Sequence, residues 1–489
     1  MPAEISAQDL PVTRVPDSLY NGSSQRKSLS TSRYQFYDRL DTNGNSATIT
    51  LSDTASTRTT FDMFKQGNIE NLNKSYLEFD ILYTGTNTNW GRAYIDAPPI
   101  RALRIKDGQS NLISEISNFV NYWNTVAVSN CSVKKCRENG NIGCGLNIAA
   151  AVLRGTCYFM NFANSLSTAD LTASNTNGSC TVLTQAGVDN GTDESRIHYH
   201  CRQHHQGTAL DAGTNEGALG LACKLDFSLL AETFAAIDLD MSSQGSWTIE
   251  IDWLPSADWG NEEDTNVANI GDIALATQPT LTCVHFQAAV QKDPVAIALA
   301  KANMEAGIRL AFPFIRSWSR NVANADSSTS HSLQSGQGYK IRRVYANFSN
   351  TTTTTSARNN NYDKGVRNAG INMTLDADQL FKPTYAMLTD SDKYNRQRHL
   401  FKDGIFGLCY SEYAINPVTI FDKTDARSLV DQQQYITHSQ GKIIDGSIDV
   451  EITVDIGATP VNSTLHLTEV YERYMYINKI ANQMSFTPV

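Results

Sequence analysis

The chain has 489 residues and a mass of 53.9 kDa, with 40 Lys and Arg against 50 Asp and Glu, for a formal net charge of −10. Hydrophobic residues make up 41% and charged residues 18%, which excludes a disordered chain and leaves room for two or three domains of roughly 150 residues. Much of the polarity comes from Asn, Ser and Thr, which disfavour helix interiors and suit turns and strand faces, so the composition points to a β-rich, loop-rich protein.

The opening Met1-Pro2-Ala3-Glu4-Ile5-Ser6 lacks a basic start followed by an apolar core, so no secretory signal is expected. The longest apolar run, about Ile148 to Leu153, is far short of the roughly 20 residues that cross a bilayer. The expectation is a soluble protein made in the cytosol. The acidic balance argues against binding nucleic acid by neutralising phosphates. The first 40 residues do not reverse this, because Arg14, Arg26, Lys27, Arg33 and Arg39 face Glu4, Asp9, Asp17 and Asp38. Nine Asn-X-Ser/Thr sequons, among them Asn21, Asn73, Asn130, Asn347 and Asn462, follow from the Asn/Ser/Thr richness; glycan attachment is the minor reading.

In chain order, residues 1–45 read as an extended polar arm, with turns at Asn21-Gly22 and Asn43-Gly44. Ser75–Ile81 alternates Tyr, Leu, Phe and Ile with Glu and Asp, which predicts a strand. Leu112, Ile113, Ile116, Phe119, Val120, Trp123 and Val126 fall on one helical stripe, so a helix is predicted there with Ser110 as its N-cap. From about 128 to 222 Gly, Asn, Thr and Cys dominate, read as a Cys-rich loop insertion with a few short strands and an apolar stretch at Ile148–Phe162. Period-2 spacing returns at Leu225, Phe227 and Leu229, and at Ile237, Leu239 and Met241. It is clearest at Trp247, Ile249, Ile251 and Trp253. Residues 259–278, acidic at their start, read as a linker.

The second half repeats the layout. Pro279–Val290 reads as a strand. Asp293-Pro294 then opens an Ala-rich helix that Gly307 stops. Ile308–Phe314 and Tyr339–Phe348 read as strands, followed by a polar loop at Asn350–Asn361. Ile448–Ile456 alternates apolar residues with Asp449, Glu451, Thr453 and Asp455, and Leu465–Ile477 supplies the last strand. Many short alternating strands with few helices indicate an all-β chain of two consecutive β-sandwiches, and the long connections fit jelly rolls. The expected division is a first jelly roll over 46–258 and a second over 279–489.

The densest chemical cluster is cysteine and histidine. Seven of the nine Cys lie between Cys131 and Cys223. Cys131, Cys136 and Cys144 form one group, and His198, His200, Cys201, His204 and His205 a second. Thiolate and imidazole suit tetrahedral zinc, but the paired Cys-x2-Cys spacing is absent. Free thiols, disulfides and structural zinc stay open here, and no metal or cofactor site is assigned. The chain has no Gly-x-Ser-x-Gly elbow, Walker loop or His-Glu-x-x-His, so no catalytic residue is assigned either. Glu232, Glu250, Asp252 and Glu451 could serve as a glycosidase-like pair, but solvated strand faces explain them better. Trp247, Trp253, Trp318 and Tyr471 could form a sugar platform, yet at period 2 the two Trp are simpler as core. Arg342-Arg343 and Arg396 to Lys402 are basic patches expected to pair with acidic neighbours or partner subunits.

The order of features resembles the major capsid proteins of double-jelly-roll viruses, of the polinton-like virus and virophage type. Asn73–Ile81 resembles the opening strands of the first jelly roll, and Leu229–Phe234 leading into Trp247–Leu254 its closing strands. Pro279 to Gly307 resembles the strand-then-helix opening of the second. Ile448–Ile456 with Leu465–Ile477 resembles its final pair. The resemblance covers about residues 45–489, and the Cys-rich stretch is unmatched. It implies a non-enzymatic homotrimer of pseudo-hexagonal outline that tiles an icosahedral shell. It also implies a virion location after synthesis in the host cytoplasm, and contacts with neighbouring capsomers, penton and minor capsid proteins. It leaves an internal membrane open. The other readings are a carbohydrate-active or carbohydrate-binding β-sandwich protein and a minor or penton capsid protein.

Overall fold

Trp247–Trp253 shows why the first half folds as a sandwich. Trp247, Ile249, Ile251 and Trp253 are fully buried, while Thr248 and Glu250 between them are only partly so. That is the period of a sheet with one covered face. The strand lies in a four-stranded sheet in the order Arg58–Met63, Trp247–Trp253, Ile100–Lys106, Leu112–Ile116. The facing six-stranded sheet runs Tyr34–Arg39, Thr280–Gln291, Glu70–Gly85, Asp240–Met241. Ile49–Thr50 is added to Thr280–Gln291, and Gly217–Asp226 to Glu70–Gly85. Aromatic pairs join the two inner faces. The Phe79 and Trp253 rings lie 5.1 Å apart edge to face, and those of Phe61 and Phe286 lie 6.0 Å apart.

The second half supplies another six-stranded sheet, Ile308–Val322, Ser463–Asn478, Lys340–Asn350, Thr419–Asp422, with Lys442–Ile443 and Gln483–Thr487 at its margins. A four-stranded sheet runs Thr329–Leu333, Ile448–Ile456, Ala369–Leu375, Asp378–Gln379. The two longest strands of that sheet, Ile308–Val322 at its edge and Ser463–Asn478 beside it, pair without a break from Ile308 opposite Ile477 to Val322 opposite Ser463. The chain is thus an all-β double jelly roll with few short helices. The structure is a computed structural model. It describes residues 33–42, 48–50, 55–85, 90–95, 98–127, 129–132, 156–161, 217–243, 245–255, 260–262, 280–322, 329–333, 340–350, 369–375, 378–379, 390–401, 404, 413, 418–422, 442–443, 448–456, 463–478 and 483–487.

Several elements follow the sequence reading. The helix Pro294–Ala306 has Pro294 in its first turn, and the Asp293 carboxylate accepts from the Val295 amide at 2.9 Å. Gly307 ends it at φ 86°, a conformation that disfavours any side chain. Ile448–Ile456 is a strand as expected.

Other elements differ. The predicted helix over Leu112–Val126 is two elements. Leu112–Ile116 is a strand paired with Ile100–Lys106, and the helix covers only Phe119–Tyr122 before a π turn at Trp123–Ala127. Asn118 caps it, accepting from the Asn121 amide at 3.3 Å. Ser110 is not the cap; it sits at φ 66° in the turn held by Asp107. Ile113, Ile116, Phe119, Val120, Trp123 and Val126 are all buried, so a strand and a short helix in sequence imitated one helical stripe. The alternation at Leu225–Leu229 ends in a 3-10 turn, Phe227–Leu229. Ile237–Met241 contributes only the two-residue strand Asp240–Met241.

The pairing also redraws the division of the chain. Thr280–Gln291, expected to open the second jelly roll, pairs with Tyr34–Arg39 and Glu70–Gly85 of the first. Tyr34–Arg39, from the expected arm, is therefore a strand of that sheet. Thr156–Asn161 from the expected insertion and Gly260–Glu262 from the expected linker both pair with Trp90–Ile95 in a separate three-stranded sheet. One hydrophobic core runs through both halves and includes Phe79, Trp253, Phe312 and Val470.

Candidate functional site

Among the described residues, a cluster of buried charge lies where the two halves meet. The turn Leu230-Ala231-Glu232-Thr233 is tied down by the Thr233 hydroxyl, which donates to Leu230 O at 2.6 Å, and by the Tyr122 hydroxyl, which donates to Ala231 O at 2.5 Å. Glu232 occupies the left-handed region at φ 56°, a conformation that non-glycine residues adopt at a cost. Its carboxylate is buried and meets two buried arginines of Lys340–Asn350.

Consecutive strand residues normally point to opposite faces. The register shifts between Ile341 and Arg343, which is the signature of a bulge. Both Arg342 and Arg343 reach Glu232 as a result. Arg343 Nη1 hydrogen-bonds Glu232 Oε1, and Arg342 Nη1 lies 3.4 Å from Glu232 Oε2. Arg343 Nε also donates to Asp422 Oδ1 at 3.1 Å, so two carboxylates face the two guanidiniums. Burial alone pushes the Glu232 carboxyl up; Arg342 and Arg343 outweigh it and hold it below the usual range. Burial also pushes the neighbouring Tyr122 and Tyr345 hydroxyls well above their ordinary value. Asn130 Nδ2 donates to Tyr345 OH at 3.1 Å, a second polar tie between the halves. Phe234 packs edge to face on Phe312, 5.4 Å away. Glu232, Arg342 and Arg343 are buried, and each described carboxylate of the cluster is paired with a guanidinium. Its chemistry is that of a lock: opposite charges that hold each other only while the halves stay in register.

A second charged set lies on the outer face of the four-stranded sheet. Asp252 bridges Arg58 Nε at 2.6 Å and Arg104 Nη1 at 2.5 Å. Arg104 Nε reaches Glu115 at 2.8 Å, and Lys106 reaches Glu250 at 2.6 Å. Burial opposes ionisation of Asp252, but its bonds to Arg58 and Arg104 win and lower it. Every carboxylate in this ladder is clamped by a cation, which leaves no spare acid for proton transfer.

The carboxylates picked out from the sequence therefore separate. Glu250 and Asp252 sit on a strand's outer face as expected, paired rather than solvated. Glu232 is no solvated strand residue: it is in a turn, and the fold buries it because its partners come from the other half. Glu451 lies on Ile448–Ile456 at the register position of Ser330 and Thr374. Trp247 and Trp253 are core, with indole N–H groups given to Ser243 Oγ at 2.9 Å and Thr59 Oγ1 at 3.1 Å. Tyr471 is buried, its hydroxyl donating to Glu469 at 2.6 Å, and Trp318 is half-buried on Ile308–Val322. Arg342-Arg343 pairs with acidic neighbours as the sequence suggested. Arg396 and Arg398 are exposed, and Lys402 lies outside the described residues. Cys131 is buried. Cys136, Cys144, His198, His200, Cys201, His204 and His205 lie outside the described residues. Among the described residues, no three His, Cys, Asp or Glu side chains gather as metal ligands would.

Sequence reasoning missed Asn130, Tyr345 and Asp422. The signal for such a lock was the run Ile341-Arg342-Arg343-Val344-Tyr345, two charges inside an apolar strand.

No protein-family model matches the chain, and no curated protein matches it. Solved structures do. A chain of the Sputnik virophage structure superposes at TM-score 0.55 with 9% identity, covering 95% of this chain and 92% of that one. The mavirus major capsid protein superposes at 0.48 with 11% identity, covering 97% and 95%. The Faustovirus major capsid protein does so at 0.48 with 7% identity, covering 93% of each. The fold that this chain shares with the Sputnik virophage chain over nearly its whole length is the double jelly roll.

Proposed function

We propose that this chain is a viral major capsid protein, located in the virion. The observation that carries the reading is the double-jelly-roll fold shared with the Sputnik virophage chain across 95% of this chain. The lock at Glu232 supports it, because two sandwiches held rigidly together make one broad building block. Three such chains around an axis present six similar sandwiches, giving a trimer of pseudo-hexagonal outline that can tile an icosahedral shell. The first jelly roll extends to Gln291 in this reading, and the second begins after it. The partners are other copies of the chain, with penton and minor capsid proteins at the vertices. The net charge of −10 leaves genome neutralisation to another component. No catalytic role is proposed.

Light scattering on the purified full-length chain tests the capsomer. A stable species at three times 53.9 kDa is the expected result. A species of 53.9 kDa at every concentration, with or without glycan-cleaving activity, would contradict it.

A further inference from the structure

Tyr34–Arg39 is the outermost strand of the first half's six-stranded sheet. It pairs with Thr280–Gln291 on one side, and no described strand lies on the other. An open edge presents a row of amide and carbonyl groups that another strand can complete. The side chains at this edge are unusual for a surface facing water. Phe36 is 46% exposed, Leu40 57% and Val295 55%, and these are the exposed large hydrophobics among the described residues. Val295 lies near the start of this strand, since the Lys292 amide donates to Arg33 O at 3.0 Å, and Leu40 lies just past its end. Apolar residues gathered at one edge mark a contact surface, where single scattered ones would not.

The strand is braced from within its own chain. The Phe36 ring lies 5.1 Å from that of Tyr76, and the Lys224 ammonium sits 4.0 Å from the Tyr76 centroid. Asp38 is bonded by His285 Nδ1 at 2.8 Å, and Arg39 donates to Glu70 at 2.8 Å. Both charges of the strand are thus answered inside the subunit, so a second identical edge can approach it. The residue order says how. Two copies run antiparallel about a two-fold axis at Tyr37 set Tyr37 against its own copy, Phe36 against Asp38, Gln35 against Arg39 and Tyr34 against Leu40. No like charges face each other. A parallel, in-register pair would set Asp38 on Asp38 and Arg39 on Arg39, which is destabilising. Antiparallel self-pairing has two-fold symmetry and closes on itself.

We propose that the Tyr34–Arg39 edge pairs antiparallel with the same strand of a second copy, forming a two-fold contact between capsomers. The word capsomer rests on the capsid reading above; the strand contact stands on the edge itself.

The test uses the full-length chain with Phe36→Asp and Leu40→Asp together. Circular dichroism checks that the variant keeps the wild-type strand content; a modest drop in melting midpoint is expected, because Phe36→Asp also removes the ring packed on Tyr76. Sedimentation across a concentration series and electron microscopy then read association. A second measurement oxidises Y37C chains mildly and compares the disulfide-linked dimer with that from wild type. The contact is supported if the double variant stops at the capsomer while the wild type associates further, and if the Y37C chains cross-link at least ten-fold above wild type. Wild-type and variant particles alike, with no excess cross-linking, would overturn the edge contact and leave the capsid reading standing. A wild type that forms dimers through this edge but no particles would keep the contact and overturn the capsid reading. A wild type that remains a monomer throughout would overturn both.

Discussion

Glu232 brings together a strained backbone, a buried carboxylate and two arginines 110 residues or more away in sequence. Removing one partner of a buried ion pair leaves uncompensated charge and typically costs about 3–5 kcal/mol. Glu232→Gln should therefore lower stability by that order in urea denaturation, and Asp252→Asn on the outer ladder by less. The pH dependence has a definite sign. The Glu232 carboxyl is held below its ordinary value of 4.5, so its contribution is present above that pH and is lost as pH falls through the lower folded value. His466 acts in the same direction by another route. Burial lowers it from 6.5 to about 4, so the unfolded chain takes up a proton that the folded chain refuses. Stability is then lost as pH falls from 6.5 towards 4, by up to about 3 kcal/mol. Melting midpoints of His466→Gln across this window should vary less than those of the wild type; an unchanged profile would remove His466 from the account. The arginine pair was legible as a basic patch with acidic partners to find, but its burial was not, although Arg342 and Arg343 interrupt an apolar strand. Glu232 was not, because nothing local reveals a partner so distant in sequence.

At the scale of elements, legibility followed how local the cause was. Trp247–Trp253 and Pro294–Ala306 were readable because alternation and capping act within a few residues. Leu112–Val126 was misread because a buried strand and a buried short helix share the apolar positions of one long helix. Thr280–Gln291 was read as opening the second jelly roll, yet it pairs with Glu70–Gly85, because sequence order does not reveal which sheet a strand joins. Two substitutions check the energetic side. Asp293→Ala removes the side-chain acceptor of the Val295 amide and should cost about 1 kcal/mol. Trp253→Ala empties a fully buried site beside Phe79 and should cost about 3–5 kcal/mol. Equal costs for the two in urea titrations would contradict the core assignment of Trp253.

At the scale of the whole molecule, two sandwiches share one core and one buried charge cluster. Arg473 adds a further tie by donating to Leu112 O at 3.1 Å across the same boundary. The halves should therefore melt together in a single calorimetric transition, and Glu232→Gln should broaden or split it. The outer ladder and the lock pair their charges within the chain, and Phe36 and Leu40 stand exposed along the Tyr34–Arg39 edge. Those properties suit a subunit that packs against copies of itself, since interface cores are depleted in charge. The central claim is that this chain builds a shell. Electron microscopy of the purified full-length protein, imaged alone across a range of concentration and ionic strength, tests it most directly. The account predicts three-fold capsomers of pseudo-hexagonal outline and their assembly into closed particles. Isolated single subunits under every condition would contradict it.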